Sequence, residues 1–131
     1  MQIRLASSID LEPLSLLFDQ YRQQLQQSAD YPACHSFLKN RLAENDSMIF
    51  VALIDDNIVG FIQLYPSFSS VRLAPVWHLE DVFVLPDYQQ HNVVSQMHTK
   101  AQLLAHSMGV LLINRHDDEA FGESESHSCL V

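Results

Sequence analysis

Two apolar runs in the middle of the chain limit the fold more than any other feature. Residues 47–65, SMIFVALIDDNIVGFIQLY, are rich in β-branched and aromatic side chains, and Asp55, Asp56 and Asn57 divide them into two runs. β-Branched and aromatic residues favour strands, whereas Asp and Asn favour the tight turns that join antiparallel strands. The stretch therefore predicts an antiparallel hairpin.

The residues before this hairpin predict one strand and two helices. Residues 2–5 alternate as a short strand, and Asp10 and Asp30 are expected to be helix N-caps because their side chains can accept hydrogen bonds from the first helical amides. The second helix is expected to end near Asn45. The first helix has apolar residues at spacings of three and four, which predict one buried face: Leu11, Leu14, Phe18, Tyr21 and Leu25.

The residues after the hairpin predict a strand, a helix and a final strand. Pro66 and the serines of PSFSSV are expected to end the hairpin, and a third long strand should run from about Leu73 to Leu85. After Pro86 a helix is expected to end at Gly109, before the strand-like sequence VLLIN. The apolar face of that helix is predicted to contain Met97, Ala101, Leu104 and Met108.

The predicted order β, α, α, β, β, β, α, β indicates an α/β (α+β) fold. Consecutive strands should form a mixed, mainly antiparallel sheet, and the last strand–helix–strand unit should be parallel, with helices on both faces. In open sheets a ligand usually binds where neighbouring strands part at their carboxyl ends. The turn after Pro86, where the crossover helix begins, is therefore the first place to expect a site.

Composition and charge narrow the class of partner. Sixteen acidic residues against seven basic ones give a formal net charge of −9, which argues against a nucleic-acid surface and favours cationic amines. The sequence contains no apolar run long enough for a membrane span and no signal-peptide pattern, so a cytoplasmic protein is expected. Cys34 and Cys129 have no metal-ligand spacing and are interpreted as reduced thiols.

The charge distribution predicts a domain and a tail. Residues 1–115 are expected to form a single domain, and residues 116–131 an acidic extension that is weakly ordered or docked on a partner. This extension has few large apolar residues and no Lys or Arg. Its acidic residues are Asp117, Asp118, Glu119, Glu123 and Glu125.

Several side chains allow both a functional and a structural interpretation. His91 and His98 could share a face of the predicted helix, with His106 further along, but no third ligand at a fixed spacing supports a metal site. These histidines are interpreted as solvated or partner-facing. Phe68, in the PSFSS segment, is the strongest sequence candidate for a ligand or partner contact. Other aromatic residues could line an acceptor pocket or fill the core: Tyr65, Trp77 and Tyr88.

Two segments resemble a known family. FVALIDDNIVGFIQLYPSFSSV is similar to the central hairpin of a bacterial subgroup of the GCN5-related N-acetyltransferases (GNAT), which carries GF-x-Q-LYPSFSS, and VWHLEDVFVLPDY is similar to that subgroup's fourth strand. The resemblance implies acetyl transfer from acetyl-CoA to an amine, such as a small amine or a peptide N-terminus. It also implies that the fourth strand and the following turn hold the cofactor.

The resemblance assigns a cofactor strand and a pyrophosphate turn. Backbone groups of Val82, Phe83 and Val84 would pair with the pantetheine arm, and turn amides at the helix N-terminus would bind the pyrophosphate. The family pattern there is Arg/Gln-x-x-Gly-x-Gly/Ala, since phosphate must approach bare backbone. Gln89 matches its first position, whereas Asn92 and Val94 replace the later residues. The predicted turn residues are Gln89, Gln90, His91, Asn92, Val93 and Val94, and this degenerate turn predicts weak or absent acetyl-CoA binding.

The resemblance also suggests the acid and base. In GNAT proteins with a Glu-Asp pair on this strand the first carboxylate commonly acts as base, so Glu80 is the expected base and Asp81 the second choice. On a regular strand their side chains point to opposite faces. The family's acid is a tyrosine in a motif that resembles DDEAFGESESHSC, where Ser124 stands at the tyrosine position.

The family pattern continues past Val131 with a further hairpin, which predicts an exposed sheet edge and hence a homodimer. Three functions remain open at this stage. The chain is expected to be a GNAT-like binding or dimerising module with little or no activity. The alternatives are an active N-acetyltransferase and a decayed homologue without a selected activity.

Overall fold

The computed structural model describes residues 1–114, and residues 115–131 lie outside the described residues. Five strands form one sheet in the order β1-β2-β3-β4-β5, and all neighbours are antiparallel except the parallel pair β4–β5. The predicted order of elements and the mainly antiparallel mixed sheet are confirmed. The elements are β1 (Gln2–Leu5), α1 (Leu11–Gln24), α2 (Tyr31–Glu44), β2 (Met48–Ile54), β3 (Asn57–Ser69), β4 (Ala74–Val84), α3 (Val93–Ser107) and β5 (Leu111–Asn114).

The hairpin between β2 and β3 is tight for a local reason. Asp55 and Asp56 both adopt left-handed backbone, with φ of 53° and 64°. Two consecutive residues with positive φ give the turn whose twist matches that of the flanking strands, and Asp tolerates this conformation better than most residues. The predicted hairpin is thus confirmed.

The two predicted N-caps differ in what their carboxylates bind. Asp30 accepts a hydrogen bond from the Ala33 amide at 3.1 Å, as expected for a cap. Asp10 precedes α1 but makes no cap bond to it. Its carboxylate instead accepts two hydrogen bonds from Arg4 on β1, at 2.7 and 2.9 Å, and one from the Ser7 amide at 2.8 Å. Through these bonds the Asp10 carboxylate connects β1 to the start of α1. The hydrogen bond from Arg4 also lowers the pKa of Asp10.

Two cores lie on opposite faces of the sheet, which confirms the expected helices on both faces. One core contains Met97, Ala101 and Ala105 of α3 with Phe50, Ile62 and Leu79 of the strands. The other core packs α1 and α2 against the sheet through Leu14, Phe18, Leu38, Phe61 and Phe83.

Two residues of the predicted helix faces are exposed instead. Leu25 and Met108 are 55% and 60% exposed, because α1 ends at Gln24 and α3 at Ser107, so that each residue lies just beyond its helix.

The prediction that Pro66 ends the hairpin is wrong. β3 continues to Ser69 and pairs with β4 through Pro66–Trp77 and Ser69–Ala74. β2 pairs with β3 only as far as Leu64, so within residues 1–114 the rest of β3 has a strand neighbour on one side. A proline is tolerated at such an edge because no ladder bond is required of its nitrogen. The result is an extension of β3 and β4 past the end of β2, which we call the β3–β4 arm (residues 65–78), and β5 pairs with it only at Val76–His78.

Among residues 1–114, no helix combines the length and the apolarity needed to cross a membrane. The predicted division into a domain of residues 1–115 and an acidic tail of residues 116–131 stays a prediction, because the tail lies outside the described residues.

Candidate functional site

Within residues 1–114, the pairing between β4 and β5 covers only the middle of β4. Their register runs from Val76–Leu111 to Leu79–Asn114. Beyond Leu79, the part of the chain that the structure describes supplies a strand neighbour for β4 on the β3 side alone. The residues from Glu80 to Val84 therefore present one backbone edge that no described strand occupies. This is the strand that the family resemblance assigns to the cofactor.

A β-bulge coincides with this point. Gln63 of β3 pairs with Asp81 and Leu64 pairs with Leu79, so Glu80 is the extra residue. On a regular strand Leu79 and Val82, three positions apart, would lie on opposite faces. Here both pack against the α3 core. The bulge thus breaks the simple alternation expected of Glu80 and Asp81, and such a bulge re-aims side chains.

A groove of about 450 Å³ lies between the second half of β4 and the N-terminus of α3. We call it the α3 groove. None of its lining residues is acidic, although the chain carries a net charge of −9. Nothing in the lining itself therefore repels an anion. The groove is lined by Leu79, Val82, Gln89, Asn92, Val93, Val94, Ser95 and His98.

The turn that opens the groove takes the backbone shape that glycine usually supplies. Residues Pro86–His91 form a 3-10 turn, and Asn92 follows in left-handed backbone with φ 55° and ψ 30°. Asn92 makes no side-chain cap bond, so it leaves the first amides of α3 uncapped. Uncapped amides and the helix dipole favour an anion at this position.

Two side chains of the turn limit what the groove can accept. Val94 is 45% exposed and lines the groove, so a branched side chain stands beside the first amides of α3. The Gln89 side chain donates a hydrogen bond to the Val84 carbonyl at 3.1 Å. Gln89 thus joins the end of β4 to the turn. The backbone and the acid-free lining fit a pyrophosphate group, and Val94 narrows the approach to it.

Gly60 allows α3 to start close to the sheet. A Cβ atom at Gly60 would lie 3.0 Å from the Phe83 carbonyl oxygen, 3.1 Å from Cγ2 of Val84 and 3.4 Å from Cγ1 of Val93. The first of these contacts is with backbone, which cannot move aside as a side chain can. Gly60 therefore sets the distance between β3, β4 and the first residue of α3.

The other face of β4 presents polar and acidic groups beneath α1. The Tyr21 hydroxyl of α1 donates a hydrogen bond to the Asp81 carboxylate at 2.9 Å. Gln63, the pairing partner of Asp81, is fully buried and donates to Ser47 Oγ at 3.2 Å. Burial and the nearby carboxylates of Asp81 and Glu80 raise the pKa of Tyr65 to about 12. This face of β4 therefore holds carboxylates, unlike the acid-free lining of the α3 groove.

Phe83 and Val84 lie buried on β4, and the other predicted site residues fall into three groups. Gln89, Asn92, Val93 and Val94 line the α3 groove together with Val82, whereas Gln90 and His91 are exposed in the turn. Glu80 and Asp81 lie on β4 at the bulge, and neither is among the residues that line the groove. Ser124 lies outside the described residues.

The sequence reasoning missed Tyr21, Gly60 and His98. Tyr21 was assigned to the core, Gly60 stood in the hairpin without a stated role, and His98 was interpreted as solvated or partner-facing. A Gly within a β-branched run is a signal for a close backbone approach, and it could have identified Gly60. Within the described residues, no three of His, Cys, Asp and Glu converge to hold a metal ion.

The fold and the groove together define a GNAT-type acyltransferase scaffold. The sequence profile described as "Acetyltransferase (GNAT) family" matches residues 12–120. This chain belongs to the GNAT acetyltransferase family.

Three related proteins agree with this assignment. The Bacillus subtilis (strain 168) protein named "Uncharacterized N-acetyltransferase YhfO" is 41% identical over 86 residues, which span 66% of this chain and 58% of that protein. A "Probable acetyltransferase" of Haemophilus influenzae (strain ATCC 51907 / DSM 11121 / KW20 / Rd) is 35% identical over 108 residues, 81% of this chain and 73% of that protein. The crystal structure of a probable acetyltransferase superposes with a TM-score of 0.80 at 30% identity, covering 97% of this chain and 87% of that one.

Proposed function

We propose that this chain binds acetyl-CoA in the α3 groove more weakly than a protein with a glycine turn, and that it is weakly active or inactive in acetyl transfer. The observation that supports this is the turn itself. Asn92 reproduces the left-handed backbone of a glycine, whereas Val94 keeps an exposed branched side chain beside the amides that a pyrophosphate needs. Asn92 can therefore replace the first glycine of the family pattern without changing the backbone, whereas Val94 cannot replace the second without hindering the phosphate.

In this proposal the residues of β4 supply the acid–base chemistry. Acetyl-CoA would supply an acetyl thioester: the amine nitrogen attacks its carbonyl carbon, the C–S bond breaks, and CoA leaves as a thiolate that takes up the proton lost by the nitrogen. A neutral amine is required, so Glu80 or Asp81 accepts the ammonium proton, directly or through water. Asp81 is oriented by the Tyr21 hydroxyl, and Glu80 stands on the bulge. Burial and the nearby carboxylates of Asp81 and Glu80 together raise the pKa of Tyr65, and those carboxylates favour a small cationic amine as acceptor.

Calorimetric titration with acetyl-CoA tests the proposal. The natural chain is compared with a double variant, Asn92→Gly and Val94→Gly, and with the single variant Val94→Gly. We expect weak binding by the natural chain and most of the gain from Val94→Gly alone, because Asn92 already has the required backbone. Tight binding by the natural chain, or no gain from either variant, would contradict the proposal.

A second candidate is a fully active N-acetyltransferase for a small amine or a peptide N-terminus. The acid-free lining of the α3 groove favours it, because an anionic cofactor meets no like charge there. Release of free CoA thiol in the presence of a polyamine or a short peptide separates the candidates. Turnover that Val94→Gly does not increase would support the active enzyme.

We also propose that the chain forms a homodimer through the β3–β4 arm. Phe68, Val71 and Leu73 of the arm are 80%, 66% and 90% exposed. Residues 57–79 contain Arg72 as their sole Lys, Arg, Asp or Glu, so the arm is not repelled by the acidic remainder of a second copy. Sedimentation velocity of Leu73→Ser should show a shift to monomer, whereas Leu16→Ser, at an exposed site of α1, should not. A monomeric natural chain at high concentration would exclude the dimer.

A further inference from the structure

The lining of the α3 groove contains one side chain that can carry a positive charge. The family pattern allows an Arg at the first position of this turn, where this chain has Gln89, and the turn contains neither Arg nor Lys. Lys and Arg are also absent from the residues that line the groove, where His98 is the one titratable base. If the groove holds a pyrophosphate, the charge-bearing donor on its wall is therefore the His98 imidazole.

The position of His98 on α3 suits this role. It follows Val94 by four residues, which places both side chains on the same side of the helix, and both line the groove. His98 is partly buried, and no hydrogen bond or ion pair within residues 1–114 engages its ring. An imidazole has at least one N–H donor in either protonation state, and both nitrogens donate when it is protonated.

The chemistry of the turn explains why a side-chain donor is needed. Val94 hinders close approach of a phosphate to the first amides of α3, so the backbone can offer less than it does in a glycine turn. A donor on a side chain reaches beyond the isopropyl group. Hydrogen bonds to charged groups are among the stronger ones in proteins.

We propose that His98 is a binding residue for the pyrophosphate of acetyl-CoA and that it replaces part of what the turn has lost. This inference rests on the proposed function, since it requires acetyl-CoA to bind in the α3 groove. His98 takes no part in the acyl-transfer step itself and acts on affinity for the donor.

Binding measurements on four proteins test the inference: the natural chain, His98→Leu, His98→Gln and His106→Leu. His106 is an exposed histidine near the other end of α3, outside the groove lining, and serves as the matched control. We expect His98→Leu to weaken acetyl-CoA binding about tenfold, the effect of losing one hydrogen bond to a charged group. His98→Gln, which keeps an N–H donor, should lose less, and His106→Leu should bind as the natural chain does.

A truncated ligand separates a contact with the pyrophosphate from a general disturbance of the groove. S-Acetylpantetheine lacks the pyrophosphate, and its affinity is measured by competition with acetyl-CoA. We expect His98→Leu to leave this affinity unchanged. An equal loss for both ligands, or acetyl-CoA binding by His98→Leu that matches His106→Leu, would overturn the inference while leaving the proposed function intact. A natural chain that does not bind acetyl-CoA would overturn both.

Discussion

The two faces of the second half of β4 differ in chemistry although they share the same five backbone residues, from Glu80 to Val84. The face toward α3 is a groove without carboxylates, bounded by apolar side chains, turn amides and one imidazole. The face toward α1 holds the Asp81 carboxylate, the Tyr21 hydroxyl and the buried Gln63 amide. A strand can present an anion-tolerant face and an acidic face because its side chains leave the backbone in opposite directions. The proposed division of labour, donor on one face and base on the other, follows from that contrast.

The largest effect is expected from adding a side chain at Gly60, where β3 approaches β4 and the start of α3 closely. Gly60→Ala places a Cβ 3.0 Å from the Phe83 carbonyl oxygen, so β4 and the start of α3 must shift. We expect a loss of about 1–3 kcal/mol in the free energy of unfolding, typical of overpacking. Urea denaturation measures it, and acetyl-CoA titration should show a parallel loss of affinity.

Gly109→Ala provides the matched control for that experiment. Gly109 has φ 70° and no heavy atom within 4 Å of an added Cβ, so its cost arises from left-handed backbone alone. We expect about 1 kcal/mol of destabilisation and no change in acetyl-CoA affinity. If Gly109→Ala weakened acetyl-CoA binding as much as Gly60→Ala does, the loss of affinity could not be assigned to the close contact between β3 and α3 at Gly60.

On the acidic face, Tyr21→Phe removes the hydroxyl that binds Asp81 at 2.9 Å. We expect the free energy of unfolding to fall by about 1.5 kcal/mol, because the lost hydrogen bond is to a charged group that is half buried. Acetyl-CoA affinity should stay unchanged, because Tyr21 lies on the far side of β4 from the groove. A double-mutant cycle with Asp81→Asn measures the coupling, and strictly additive losses would argue against the contact.

A smaller effect is expected in alkaline solution. The pKa of Tyr65 is raised to about 12 by burial and by Asp81, above the ordinary value of about 10 for tyrosine. A raised folded-state pKa gives a stability contribution that is present below the unfolded pKa and is lost as the pH rises through the folded one. Stability should therefore fall between about pH 10 and 12.

Ultraviolet absorbance of tyrosinate follows this titration directly. Asp81→Asn should lower the pKa of Tyr65, because it removes a carboxylate that disfavours the phenolate. Tyr65→Phe identifies the signal. A Tyr65 that ionised near the ordinary tyrosine value of about 10 would show that this face is less acidic than the contrast between the two faces requires.

The smallest effect is expected in the turn. Gln89→Ala removes one 3.1 Å hydrogen bond to the Val84 carbonyl from an exposed side chain, so we expect less than about 1 kcal/mol of destabilisation. Gln90→Ala, at an exposed position of the same turn, should cost nothing measurable. If acetyl-CoA affinity fell with Gln89→Ala while stability did not, Gln89 would be a ligand contact as well as a tie between strand and turn.

Much of the scaffold was predictable because local chemistry determines it. The Asp55–Asp56 turn, the Asp30 cap and the left-handed Asn92 each follow from what a short polar side chain allows its own backbone to do. The Pro66 prediction failed for a tertiary reason. A proline stops a strand only where a neighbour requires its missing amide, and whether β2 reaches that far cannot be deduced from local sequence.

The site was only partly predictable for the same reason. The resemblance singled out the turn and the carboxylates as candidates, because their motifs are contiguous in sequence. The Tyr21–Asp81 hydrogen bond joins residues sixty positions apart, and the groove position of His98 depends on how α3 lies across β4. The bulge at Glu80 depends on how two strands register, which a single strand does not encode.

The bulge at Glu80 adds one residue to β4. The residues on either side of Glu80 keep the faces that they would have on a regular strand without it. Leu79, Asp81 and Val82 would occupy the same faces on a regular strand from which Glu80 had been deleted, because removing one extra residue restores strict alternation. Deleting Glu80 keeps the order of the remaining side chains along β4 and removes the bulge together with the proposed base. No substitution at Glu80 does this, because a substitution leaves the extra residue in place. We expect such a chain to fold and to pair β3 with β4 without a break between Gln63 and Leu64, which hydrogen exchange along β3 and β4 would reveal as added protection at the former bulge.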